Sequence, residues 1–218
     1  MKYYIYLYKT QTRNIMKHIR KIQVAECISK KEVKTLIDGL IEDDKERDAL
    51  FVRISYSLGL RISDVTSIRW SDFGNGFKTL SLIEKKTKKQ RDIPAIPNNL
   101  VKALYEYQKN YTLKMNSKGE EPLDLIFHNR QGNQLSSNGY NLKLKEWKID
   151  YLKKNNLRFS SHSFRKSFGL HYYTEMGENH KALTRLQSIY QHKDIATTIK
   201  YIGIMDSEIK EAYYINDV

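Results

Sequence analysis

The stretch SHSFRKSFGLHYYTEMGENHKALTRLQSIYQHKDIATTIKYIGI, residues 161–204, constrains the fold of this chain more than any other part of it. It divides into three helical runs: HSFRKSFGLHYYTEM, HKALTRLQSIYQH and IATTIKYI. In the first run His162 and Arg165 are three apart and project from one helix face. His192 closes the second run, and Tyr201, nine residues later, lies on the third. Two imidazoles, a guanidinium and a phenol drawn to one place suit chemistry at a phosphodiester. The guanidinium matches two phosphate oxygens, imidazoles move protons or donate hydrogen bonds, and a phenol can attack phosphorus. Singly, each has an ordinary reading: a His-x-x-Arg pair is usually a solvated helix face, and most of sixteen tyrosines simply pack. The spacing of the full set, with a second arginine upstream, favours the chemical reading.

The length of 218 residues allows one substantial domain and a small appendage. Hydrophobic residues at 40% and charged residues at 29% fit a folded globular protein. A formal net charge of +13 points to a polyanionic partner, most often nucleic acid. Cys27 is the only cysteine, so no internal disulfide forms, which suits a reducing cytosol. The apolar run at 3–8 is too short to span a bilayer, and no small-residue cleavage site follows it. The expected location is the cytoplasm, on the nucleoid when bound to DNA, with no membrane partner.

Residues 1–28 form an N-terminal basic and aromatic arm. The alternation at 3–8 fits a short strand, and QTRNIMKHIRKIQ is either an arm lying along DNA or a solvated helix. Ser29-Lys-Lys-Glu32 is a capping box opening a helix whose Val33, Leu36, Ile37, Leu40 and Ile41 make a buried stripe. A second helix, ALFVRISYSL, ends at Gly59, and Leu60-Arg61-Ile62-Ser63-Asp64-Val65 follows. An arginine on the turn after a helix stop is placed by backbone, and Asp64 is positioned to hold it by an ion pair, although a routine salt bridge reads the same.

From Phe77 the pattern changes to two short strands joined by the basic loop KKTKKQRD, with Pro94 and Pro97 confining the second strand to an edge. The loop is a probe for a phosphate backbone. Asn98 or Asn99 caps the helix LVKALYEYQKNY, TLKMNSKGEEP is a surface loop, and a glycine turn with a cap at Ser136 or Ser137 precedes a helix over 140–154. His128, beside the apolar run before that turn, has a structural role. DSEIKEAYYINDV is a tail, helical from Asp206, docking on its own core or on a neighbouring subunit.

Arg61, a hairpin lysine, His162-Ser-Phe-Arg165, His192 and Tyr201, in that order, resemble the tyrosine recombinase (phage integrase) family over roughly residues 29–215. LGLRISDV is similar to the family's first arginine box, EKKTKKQRDIP to its lysine hairpin, HSFRKSFGLH to its His-x-x-Arg helix, and QHKDIATTIKYIGI to its second histidine and nucleophile. The KYIGI ending is similar to short members from Gram-positive bacteria and their phages. The chain departs from the family twice. Only about 28 residues precede the first helix, where members usually carry a core-binding domain, as in the small invertase-type members. The residues before the second histidine are Tyr190-Gln191 in place of the usual Leu-Gly.

The resemblance implies an α+β, mainly helical catalytic domain over residues 29–218 with a small antiparallel β-hairpin or sheet on one side. It implies a site-specific recombinase that breaks and rejoins DNA through a 3′-phosphotyrosine. Tyr201 is then the nucleophile, Arg61 and Arg165 hold the non-bridging oxygens, Lys86 protonates the leaving 5′-oxygen (Lys85 and Lys88 being rivals), His162 is the general acid/base and His192 a donor to phosphate. Asp64 supports this set, and Lys85, Lys88, Lys89, Arg91, Lys166 and Lys193 contact DNA. No metal or other cofactor is implied. The partner is double-stranded DNA, with four subunits on two synapsed duplexes and a monomer when free. The alternatives are a non-catalytic DNA-binding regulator on the same scaffold and a type IB topoisomerase-like relaxing enzyme.

Overall fold

The computed structural model describes residues 25–204, so the strand and basic tract before residue 25, and the tail helix from residue 206, lie outside the described residues. Ser29 opens helix α1 (Lys30–Glu42): its hydroxyl accepts from the Glu32 N–H, while the Glu32 carboxylate accepts from the Ser29 N–H at 2.7 Å. Val33, Leu36, Ile37 and Leu40 turn inward. Ile41 lies past the edge of that stripe and stays 44% exposed. Helix α2 (Glu46–Leu58) is the central one, with Leu50, Phe51, Val52 and Ile54 all buried. Gly59 ends it at φ +56, where L side chains are strained, and a β-carbon there would also strike the Phe168 ring.

A single turn, α3 (Ile62–Val65), and a 3₁₀ turn lead into a three-stranded antiparallel sheet ordered β1 (Phe73–Gly74), β2 (Thr79–Ile83), β3 (Gln90–Ile93). β2 is the first strand expected, whereas β3 starts at Gln90, inside the stretch expected as basic loop, and ends at Ile93 just before Pro94. The tight turn at 84–89 returns the chain early, so Gln90, Arg91 and Asp92 pair with β2 at the sheet edge. The additional strand, β1, is too short for alternation to reveal. It pairs with β2 through a turn in which Asn75, Gly76 and Phe77 all have positive φ. Helix α4 (Asn98–Asn116) follows, with Pro97 at the N-cap and no side-chain cap, so neither Asn98 nor Asn99 plays that part. It continues through TLKMN, expected as loop. Those residues are adequate helix formers, and the extension lacks an apolar signal because it is solvated, with Leu113 58% exposed.

Ser136 caps helix α5 (Ser137–Asp150), which begins and ends a few residues before the expected bounds. Tyr140, Leu144 and Trp147 face inward, whereas Leu142 and Ile149 face water. His128 packs against Tyr111, their polar atoms 3.1 Å apart. Helices α6 (Ser161–Glu175), α7 (His180–Tyr190) and α8 (Ile195–Ile202) complete the body.

The buried side chains form two clusters. In the larger, Phe51 stacks on Tyr140 and meets Phe127, Trp147 and Phe164 edge-on. The smaller joins Tyr173, Leu183, Leu186, Tyr190 and Ile202. Helix α6 contributes Phe164 to one and Tyr173 to the other, so the polar residues along it lie at the seam between the cores. Its first half is enclosed, burying Ser163, Arg165, Ser167 and Gly169 as well as Phe164, a wider face than its aromatic residues suggest. Ile28 is part of the larger core and its N–H donates to Ser167 Oγ, so at least residues 25–28 of the expected arm belong to the body.

Candidate active site

Gly59 exposes its carbonyl to Arg165, whose Nη1 donates to it at 2.6 Å. Two residues on, Arg61 occupies the N-cap position of α3 with extended backbone, which aims its side chain at the hairpin rather than into solvent. There Nη1 meets Glu84 Oε2 at 2.6 Å, while Asp64, the expected partner, is at 4.0 Å. Asp64 is instead buried with one oxygen accepting from the Lys85 N–H at 2.8 Å, anchoring the start of the lysine loop. Glu84 stands 23 residues from Arg61 and is not singled out by the sequence.

Glu84 is 0% exposed and also accepts from Arg91 Nη1 at 3.2 Å and from the Thr87 hydroxyl at 2.8 Å. Burial pushes its pKa up, but the Thr87 hydroxyl and the two guanidiniums outweigh that and leave it lowered. Arg91 is therefore not a DNA-facing loop residue as expected. The pleat that places Leu82 opposite it turns its side chain inward, where it is 7% exposed and reaches the Leu58 carbonyl. Lys85, Lys86, Lys88 and Lys89 are exposed on the turn between β2 and β3, with Lys88 in the left-handed region. Lys86 is near enough for its charge to bear on His162.

Helix α6 starts with Ser160 and Ser163 capping each other's backbone. His162 and Arg165 then share one face, but their surroundings differ. Arg165 is 2% exposed and lies against carbonyls and a ring, not a carboxylate: Gly59 O, Tyr190 O at 3.1 Å, and the Tyr190 ring 4.1 Å from its guanidinium carbon. Burial pulls its pKa down to about 10, so it remains charged at neutrality. A buried guanidinium without a carboxylate is costly unless an anion completes it. Lys166, expected on DNA, is half-buried, with its ammonium 3.4 Å from the Ala25 carbonyl.

Helix α7 stops at Gln191, which adopts φ +54 where a glycine would be unstrained, and the Gln191 and His192 N–H groups return to Ser188 and Gln187. The left-handed turn thus forms with Tyr190-Gln191 in place of Leu-Gly. His192 Nδ1 lies 3.0 Å from the buried hydroxyl of Thr198, a second residue the sequence reading passed over. Burial, then the charges of Arg165 and Arg61, lower the His192 pKa to about 4, so the ring is neutral at pH 7. Asp194 caps α8 through the Thr197 N–H, and α8 carries Tyr201 back toward α6. The Tyr201 hydroxyl is 3.3 Å from His162 Nδ1. Burial raises its pKa, against the charges of Arg165 and Arg61 and a side-chain hydrogen bond with Arg165. Loss of water behind the His162 ring, then the charges of Arg165, Arg61 and Lys86, lower that pKa. Lys193 is exposed beside His192.

The structure thus converges Arg61, His162, Arg165, His192 and Tyr201, with Lys86 at the rim, into a cationic recess with a phenol facing it. The sequence pattern of the phage integrase family matches residues 26–208, and the chain belongs to that family. It is 29% identical over 191 residues to the tyrosine recombinase XerA of Pyrococcus furiosus, covering 86% of this chain and 60% of that protein. A probable integrase/recombinase of Acholeplasma phage L2 is 32% identical over 165 residues, 75% of this chain and 51% of the relative. The chain therefore spans somewhat over half the length of these relatives. Among solved structures, the XerA recombinase crystal structure superposes with a TM-score of 0.68 at 20% identity, covering 90% of this chain and 66% of that one. The XerH site-specific recombinase bound to a palindromic difH substrate gives 0.66 at 17% identity, covering 88% and 54%. The fold is that of these recombinases, mainly helical with one small antiparallel sheet.

Proposed function

We propose that this chain is the catalytic domain of a site-specific tyrosine recombinase, cutting and rejoining duplex DNA through a 3′-phosphotyrosine. The observation that carries the reading is the Tyr201 hydroxyl, 3.3 Å from His162 Nδ1 and close enough to Arg165 to feel its charge. In the forward step the Tyr201 oxygen bonds to phosphorus, the phosphorus–O5′ bond breaks, and the phenol proton passes to His162. Lys86 supplies a proton to the departing 5′-oxygen. Arg61 and Arg165 balance charge that builds on the non-bridging oxygens, and His192 donates a hydrogen bond there. The reverse step, with a hydroxyl from another strand, reseals the backbone without an external energy source. The steps need no metal or nucleotide.

The XerH and Tn1549 integrase structures contain DNA, which supports duplex DNA as the partner here. The exposed lysines of the β2–β3 turn, with Lys193, are the surface offered to its backbone. Four subunits on two synapsed duplexes complete an exchange, in the cytoplasm on the nucleoid. Among the described residues no helix is long and apolar enough to cross a membrane.

The test is a suicide duplex, nicked just 3′ of the scissile phosphate and built from the inverted repeats flanking the coding sequence. The wild-type chain is expected to accumulate a covalent protein–DNA adduct, and Tyr201→Phe to form none while binding DNA normally. Adduct retained in Tyr201→Phe moves the nucleophile to Tyr213 or Tyr214, since the Tyr190 hydroxyl is buried against the Arg165 carbonyl. Binding without any adduct points to a regulator.

A further inference from the structure

Tyr190 touches more of the recess than any residue assigned to it. Its ring lies under the Arg165 guanidinium at 4.1 Å, and its carbonyl accepts from Arg165 Nη2 at 3.1 Å and Arg61 Nη2 at 3.4 Å. Its hydroxyl donates to the Arg165 carbonyl at 2.5 Å. The Tyr201 ring meets it edge-on at 5.5 Å and the His192 ring tilts against it at 5.2 Å. The opposite helix makes room for this: a β-carbon on Gly169 would collide with the Tyr190 hydroxyl. Tyr190 itself is 0% exposed, so it cannot touch DNA.

These contacts answer a physical problem. Arg61 is balanced by Glu84, but Arg165 is buried between two carbonyls and one aromatic face, with no carboxylate against it among the described residues. A carboxylate there would neutralise the cation and compete with an incoming phosphate. An aromatic face attracts a cation without carrying net charge, most strongly where water is excluded. The guanidinium therefore keeps both its place and its appetite for an anion.

We propose that Tyr190 is a positioning residue, whose ring is the platform that orients the Arg165 guanidinium toward the scissile phosphate and against which Tyr201 and His192 are set. A simple packing role would be filled by any side chain of that shape. The platform role depends on the negative charge of the ring face. This inference rests on the strand-exchange reading above, and the test separates the two.

The test replaces Tyr190 in the full chain with phenylalanine, 4-fluorophenylalanine and 3,4,5-trifluorophenylalanine, with Tyr190→Met as a ring-free variant. Fluorination drains the ring face while barely changing its shape, so folding and melting temperature hold across the aromatic series. On the nicked duplex, the rate of adduct formation is expected to fall stepwise with fluorination, on the order of tenfold across the series, while DNA affinity stays level. Tyr190→Met is expected to be slower still where it folds. A rate insensitive to fluorine, with normal wild-type adduct, overturns the platform and leaves the recombinase reading standing. Absence of adduct with the wild-type chain overturns both.

Discussion

The Tyr201 hydroxyl lies 3.3 Å from Nδ1 of His162, although 39 residues separate them in the chain. The contact gives the phenol, whose pKa burial raises, a proton acceptor. His162 has its pKa lowered from 6.5, so the ring is neutral at pH 7 and can accept that proton. Acid charges the ring and removes the acceptor. Adduct formation on the nicked duplex is therefore expected to be flat through neutrality and to decline only below pH 6.5. A rate that climbs with an apparent midpoint above 6.5 would contradict the assignment.

His192 is neutral at pH 7, so what it can donate is decided by its tautomer. If the Thr198 hydroxyl donates to Nδ1, the proton resides on Nε2 and is available to a phosphate oxygen. Thr198→Val keeps the shape and removes the hydroxyl. Single-turnover cleavage is expected to slow about fivefold to tenfold, the worth of one buried hydrogen bond, with DNA affinity unchanged. Equal rates for the two proteins would show that Thr198 does not set the ring.

Much of this site was legible because helices write their contacts locally. The capping box at Ser29, the left-handed stop at Gly59 and the His162–Arg165 pair each depend on neighbours within a turn or two, and the sequence displays them. The partner of Arg61 was not legible. Asp64 is three residues away and Glu84 is 23, yet the register of β2 against β3 decides the matter, bringing the distant carboxylate to 2.6 Å. The same pleat turned Arg91 inward while leaving the loop lysines outside. Charge alone could not distinguish the two fates, and neither could it foresee that Lys166 turns toward Ala25.

Among the loop lysines, Lys86 is the one whose charge reaches His162. Lys86→Ala is expected to block cleavage of an ordinary phosphodiester, because the 5′-oxygen then leaves as an unprotonated alkoxide. A 5′-phosphorothiolate linkage should restore it, since a thiolate leaves without a proton. Lys85→Ala and Lys88→Ala should need no such rescue. Rescue of either neighbour instead of Lys86 would reassign the acid.

The solvent-exposed and buried cations of the hairpin should separate in a salt titration. Replacing Lys88 and Lys89 with glutamine is expected to weaken DNA binding and reduce the slope of log affinity against log salt by roughly 0.9 for each phosphate no longer neutralised. Arg91→Gln should leave the slope where it was and lower stability. A slope unmoved by the double lysine change would take the turn out of the DNA interface.

Glu84 ties Arg61 to the hairpin, for it grips Arg61 on one side and Arg91 at the base of the lysine loop on the other. Glu84→Gln leaves both guanidiniums without their counter-charge, and breaking a buried pair this way costs about 3 kcal/mol. Urea unfolding at pH 7 should show that loss, and adduct formation should slow as Arg61 and Lys86 lose their common anchor. The pH dependence carries a sign. Glu84 titrates below its unfolded value of 4.5, so the stability it contributes is complete above 4.5 and is lost as pH falls through the lowered folded value. The wild-type chain should therefore shed stability over that acid window more steeply than Glu84→Gln, and the two unfolding curves should draw together as pH drops. Curves that stay parallel down to about pH 3, well below the unfolded carboxyl value, would mean that the carboxylate is not the anchor its contacts describe.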